Sequence, residues 1–272
     1  MRSAILMTVA LLCLGVVSPM RAAYAASPAI PSEASADATS ADPLRSPRWG
    51  DMQKLFFAGQ PVVFDARVRV SGPDIAEDSL NVPISVDASG LPNVQEVLVF
   101  ADFNPILGVL RFFPTAAKPS LGLRLKLQQS SPVRAAARTA DGVWHVGGLW
   151  VTATGGGCTA PSTGSGSAEW QERLNEVSAR IFPRIDGGSR LRLRIIHPMD
   201  TGLAPGVPVF HIEELRLADE AGAELMRIQP YEPVAENPLF TVDLPARSGS
   251  SGRIHTSGRD NNGNLIDAWV TP

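Results

Sequence analysis

VVFDARVRV, Val62 to Val70, is the stretch on which the reading of the fold turns. Phe64, Ala66, Val68 and Val70 alternate with Asp65, Arg67 and Arg69, the period-two pattern of a strand with one face in water. Apolar runs of the same kind follow: NVPISVDA, VQEVLVFAD, GVLRFFP, LGLRLKL, PVRAAARTADG and VWHVGGLWVTAT. Turn residues at Ser71-Gly72-Pro73, Ser89-Gly90 and Asp141-Gly142 separate them. Short strands at that spacing predict an immunoglobulin-like β-sandwich over residues 47–151. Just ahead of the strands, PRWGDMQKLFFAG places Trp49, Met52, Leu55 and Phe56 at helical spacing between Ser46 or Pro47 and Gly59, which predicts a short amphipathic helix packed on this sandwich.

The strand idiom returns near the C-terminus. RLRLRII alternates Leu191, Leu193 and Ile195 with arginines, and PVFHIEELRLAD, AELMRIQ, PLFTVDLP, GRIHTSGRD and LIDAWVTP follow, predicting a second, smaller sandwich over 184–272. Between the two lie a Gly/Ser-rich loop, residues 152–167, and AEWQERLNEVSARIF, where Trp170, Leu174, Val177 and Ile181 share a helical face with Ser167 as cap and Pro183 as stop. The expected architecture is therefore all-β: two immunoglobulin-like domains joined by a cysteine-bearing loop and a bridging helix over 168–183.

Composition narrows the function classes. The 24 Gly and 23 Pro with 6% aromatic residues suit strands and turns better than a helical bundle. A net charge of −3 and the lack of a basic block argue against a nucleic-acid or anionic-membrane partner. At the N-terminus, Arg2, an apolar run from Ala4 to Val17 and Ala23-Tyr24-Ala25 read as a secretory signal over residues 1–25, too short for a membrane span. That implies a periplasmic protein. Residues 26–46, rich in Ala, Ser, Pro and Asp, read as a disordered leader. With Cys13 inside the signal, the mature chain keeps one cysteine, Cys158, in TATGGGCTAPSTGSGS.

A buried structural cysteine is usually surrounded by apolar residues, and this neighbourhood has almost none. Cys158 is therefore expected to be exposed, on a loop whose Gly155, Gly156 and Gly157 act as a flexible arm. No Lys, Arg or His adjoins Cys158 in sequence to lower the thiol pKa. His145, His197, His211 and His255 lack metal-ligand spacing, so no metal or cofactor is expected. The serines of the loop have no GxSxG elbow, and TGGGC lacks the GK[ST] of a phosphate loop. No catalytic set is visible, and the chain does not read as an enzyme.

VTATGGGC at the end of the first sandwich resembles the C-terminus of SoxY, the subunit of the sulfur-oxidising system whose cysteine arm carries the substrate. IIHPMDTG, Ile195 to Gly202, and ENPLFTVDL, Glu236 to Leu244, resemble its partner subunit SoxZ. The order of these motifs is similar to that of fused SoxYZ-like carriers associated with quinoprotein dehydrogenases. The resemblance implies a SoxY-like domain over 47–151, a SoxZ-like domain over 184–272 and a carrier thiol at Cys158. It also implies periplasmic redox or hydrolytic partner enzymes, among them c-type cytochromes and a quinoprotein dehydrogenase. Here the cysteine is followed by Thr159-Ala160-Pro161 and a whole domain instead of a free Cys-Gly-Gly end. His197, in the HPMDTG turn, is a candidate contact beside the loop. The alternative is an interaction adapter in which the thiol is dispensable.

Overall fold

The computed structural model describes residues 41–163, 168–246 and 252–271. The expected signal at 1–25 and most of the expected leader lie outside the described residues. Among the described residues two helices, α1 (Trp49–Phe57) and α2 (Ala168–Arg173), accompany eighteen strands. Those of the first half are β1 (Val62–Phe64), β2 (Arg69–Ser71), β3 (Ile75–Ala76), β4 (Val82–Asp87), β5 (Val94–Ala101), β6 (Gly108–Phe113), β7 (Ser120–Leu125), β8 (Ser131–Thr139) and β9 (Trp144–Ala153). Those of the second are β10 (Val177–Pro183), β11 (Ser189–Ile195), β12 (Asp200–Thr201), β13 (Val209–Phe210), β14 (Ile212–Asp219), β15 (Glu224–Pro230), β16 (Leu239–Leu244), β17 (Ile254–Asp260) and β18 (Leu265–Val270).

The all-β, sandwich-type architecture is the one the alternation anticipates. The two halves meet, however, through both large sheets, while β12 and β13 pair separately. One sheet runs β1-β9-β8-β5-β6-β15-β14-β17-β18, with β3 beside β9, and the other β10-β11-β16-β7-β4-β2. The crossing points are antiparallel: β6 pairs with β15, as Phe112 with Ile228, and β7 with β16, as Gly122 with Thr241. One apolar core follows, in which Val97, Leu121 and Val133 of the first half pack in the same cluster as Leu193, Leu215 and Phe240 of the second.

Three local expectations need correction. VVFDARVRV is two strands rather than one, because Asp65 accepts hydrogen bonds from the Arg67 amide at 2.9 Å and the Arg67 guanidinium, turning the chain at Ala66. The turn sends β1 to one sheet and β2 to the other. The bridging helix spans only Ala168–Arg173. Asn175 stands at φ +63, and residues 177–183 form β10, paired with β11 over its whole length. Val177 and Ile181 fit the strand period, together with Ala179, as well as the helical one, and the neighbouring edge of β11 decides. Helix α1 buries Trp49, Met52 and Phe57, while Leu55 is exposed. The helix covers Phe100 and Trp144 in a second apolar cluster.

The end of the supposed leader is ordered. Asp42 caps its own turn by accepting from the Leu44 and Ser46 amides at 3.1 and 2.7 Å, and accepts two hydrogen bonds from Arg134 at 2.8 and 2.7 Å. Composition alone hides this, because the partner lies 92 residues away. Among the described residues no helix is long and apolar enough to cross a membrane.

Candidate functional site

The cysteine loop leaves β9 at Ala153 and turns back over the end of β7. Its glycines are used for close approach, which corrects their reading as a flexible arm. A Cβ on Gly157 would stand 2.2 Å from the Ser79 carbonyl oxygen and 2.7 Å from that of Leu127, and Gly155, at φ +98, sits against the Gln128 carbonyl. Backbone hydrogen bonds fasten the contact: the Gly156 and Gly157 amides donate to the Gln128 and Leu127 carbonyls, both at 3.0 Å. Gly156, at φ +82, meets nothing but needs the left-handed conformation of the turn.

This packing buries Cys158 completely, against the expectation of exposure. The covering residues come from distant parts of the chain, beyond the reach of a local composition argument. Among the described residues Cys158 is a free thiol. Its amide donates to Gln128 Oε1 at 3.2 Å, and its sulfur lies 3.7 Å from the Lys126 carbonyl oxygen. Burial pushes the thiol pKa up to about 11, only partly offset by the charge of Lys126. At neutral pH the docked thiol is protonated and unreactive.

The second half of the chain closes the site. Thr201 Oγ1 donates to the Cys158 carbonyl at 2.5 Å, and Asp200 Oδ1 accepts from the Ser162 amide at 3.0 Å. Glu236 Oε2 accepts from both the amide and the hydroxyl of Thr163 at 2.8 Å. The HPMDTG and ENPLFTVDL motifs thus supply the residues that hold the loop. Lys126, fully buried, donates from Nζ to the Met199 carbonyl. Burial lowers its pKa, against the opposing pull of Asp200, Cys158 and Glu236.

His197 shapes the motif without bonding to the cysteine. Its Nδ1 accepts from the Met199 amide at 3.0 Å, which holds Met199 at φ +52 and aims Asp200 and Thr201 at the loop. Burial lowers its pKa to about 4, and Asp260, 3.7 Å from Nε2, pulls the other way. The imidazole is therefore neutral at pH 7 and accepts at Nδ1. Among the described residues no group of three or more His, Cys, Asp or Glu is arranged to hold a metal ion.

Sequence reasoning missed Lys126, Gln128 and Glu236. Lys126 is the instructive case: the alternation in LGLRLKL places it beside Arg124 on the wet face, yet the strand ends at Leu125 and Lys126 turns inward.

The segment from α1 to this cysteine has a known counterpart. Residues 52–158 match the family model for sulfur oxidation protein SoxY. The match ends on Cys158. Among solved structures, the sulfur carrier protein SoxY from Chlorobium limicola f thiosulfatophilum is 22% identical, over 39% of this chain and 96% of that one, with a TM-score of 0.35. No curated protein matches the chain significantly. The SoxY-matching segment comprises the first half of both sheets and the buried thiol, and the residues that clamp the thiol's loop lie outside it.

Proposed function

We propose that this chain is a thiol carrier in which Cys158 holds a sulfur species covalently and presents it to partner enzymes. The observation that supports the reading most directly is the SoxY match ending on Cys158, the free thiol of the described chain. The chemistry belongs to the partners, and the second half acts as a built-in SoxZ-like subunit. Secretion to the periplasm and an association with a quinoprotein dehydrogenase and its c-type cytochromes complete the proposal, on the motif resemblance and the N-terminal sequence. Joining the thiolate to sulfide-level sulfur forms an S–S bond and releases a proton and two electrons, so that loading needs a redox partner to accept them. Transfer of an already oxidised sulfur needs none.

In this reading the docked loop is the resting form. Hydrogen bonds to Thr201, Asp200 and Glu236 hold it, and none is covalent. Undocking returns the thiol from a pKa of about 11 toward its ordinary 9.0, raising the thiolate fraction about a hundredfold.

Intact mass spectrometry of the protein purified without reductant, before and after dithiothreitol, tests this. A reducible mass addition on the Cys158 peptide is expected in cells using the substrate. The complete burial of Cys158 favours a second reading, the adapter, in which the thiol is a packing group. An unmodified thiol, with activity intact in Cys158→Ser, would establish the adapter and reject the carrier.

A further inference from the structure

The outer face of the six-stranded sheet has an uneven charge pattern that its register makes explicit. One row across it is balanced: Arg190 lies opposite Asp243, which it binds at 2.7 Å, and Arg69 opposite Asp87, also bound. The next row has no acid. Arg180 faces Arg192 directly across β10 and β11, and the row continues through Thr241, Gly122 and Ser85. The row after it pairs Arg194 with Leu239 and Arg124 with Pro83. Among the described residues, Arg124, Arg180 and Arg192 have no carboxylate within ion-pair distance. Glu176, the acid whose charge feels Arg194, is already bound by Arg173 at 2.7 Å. Like charges directly opposite in a sheet destabilise it, and here four arginines stand on one face of a chain whose net charge is −3.

The same face is hollow and partly apolar. Gly122, Ser85 and Thr241 are small, and a depression of about 500 Å³ forms over them beside Leu239 and Arg124. Phe182 lies 40% exposed at the arginine end. Arginine and an aromatic group around an apolar centre are the residue types that dominate protein interfaces.

We infer that this face is a docking surface for the acidic face of a partner protein, its carboxylates meeting Arg180, Arg192, Arg194 and Arg124 and an apolar side chain entering the hollow. From β10 to β7 the guanidinium-bearing strands cover three inter-strand spacings, about 14 Å, too broad for one small oxyanion and suited to a macromolecular surface. The location fits the site. Arg124 lies two residues before Lys126, whose carbonyl meets the Cys158 sulfur, and Leu239 three residues after Glu236, which holds Thr163. A partner seated there borders the cysteine loop. The surface is independent of whether Cys158 carries cargo.

The test uses the full chain and a glutamate-rich peptide with a central Phe, followed by NMR shift mapping and by fluorescence anisotropy across a salt series. The expected shifts fall on β10, β11 and β16, with affinity dropping about tenfold or more from low to physiological salt. Arg180→Gln with Arg192→Gln should weaken binding at least about tenfold while leaving the melting temperature unchanged or higher, since the like-charge contact is relieved. Arg216→Glu, on the other sheet and paired with Glu224, should bind as the parent does. Shifts confined to other strands, or undiminished binding by the double variant, would overturn the proposal. So would inorganic sulfate saturating the same amides and displacing the peptide, which would mark a small-anion site instead.

Discussion

Arg134 and Lys126 are each about 1% exposed, yet the molecule treats the two buried cations in opposite ways. Arg134 is surrounded: its guanidinium binds Asp102 at 3.0 Å and Asp42 at 2.7 Å, stacks over Trp49 at 4.7 Å, and its pKa is raised, because the two carboxylates outweigh the burial. Among the described residues the Lys126 ammonium has one hydrogen-bond partner, a backbone carbonyl. The carboxylates near it are spent on the loop, Asp200 on Ser162 and Glu236 on Thr163. The first cation is a closed structural lock that fastens the N-terminal segment to the sandwich. The second sits half-satisfied between the thiol and the motif that clamps it.

Removing each cation separates their two roles most directly. Arg134→Met leaves Asp42 and Asp102 buried without a counter-charge and should cost about 3–5 kcal/mol in urea unfolding. Lys126→Met forfeits one hydrogen bond and removes a charge that burial already disfavours, so it should cost about 1 kcal/mol. Equal losses would show that Lys126 is a lock of the same kind.

Alkaline pH titrates the thiol that lies beside Lys126. The Cys158 thiol ionises near 9.0 unfolded and near 11 folded. Between those values the folded state holds a proton that the unfolded state has lost, so this contribution is complete below about pH 9 and declines as pH rises to 11. Two units correspond to about 3 kcal/mol. Unfolding of the parent across that window should lose about that much relative to Cys158→Ala, whose profile lacks the step. Lys126→Met removes a positive charge that favours the thiolate and should carry the upper end of the step to higher pH. A parent profile parallel to that of Cys158→Ala would mean that the thiol is hydrated in the folded state.

Much of the fold is legible from the alternation, because apolar residues on every second position can only be buried by sheets facing each other. What escaped was decided by partners far along the chain. GGGC looks like a soft arm when only its own residues are weighed. Its glycines instead let the backbone press on Ser79 and Leu127. Asp42 sits in a segment with a disordered composition, but Arg134 holds it. The motif residues Asp200 and Thr201 were in plain view, and only the folded chain sets them against Cys158. His197, the residue singled out there, proved to orient that pair from behind.

The finest test concerns the latch itself. Thr201 Oγ1 donates to the Cys158 carbonyl and accepts from the Leu203 amide at 3.2 Å, so Thr201→Val keeps the shape and removes the hydroxyl that joins loop to motif. A buried thiol is alkylated through the fraction of molecules in which its loop is open. One hydrogen bond contributes about 1 kcal/mol, so iodoacetamide at pH 8 should label Cys158 about fivefold faster in the variant, with equal rates for the two proteins in denaturant. Hydrogen exchange should quicken at 156–163 and remain slow in β5 and β8, since the core strands do not depend on the latch. If labelling and exchange accelerate together across the whole sandwich, then the thiol is reached only by global unfolding. The loop is then part of the core, and burial of Cys158 is packing rather than a resting position.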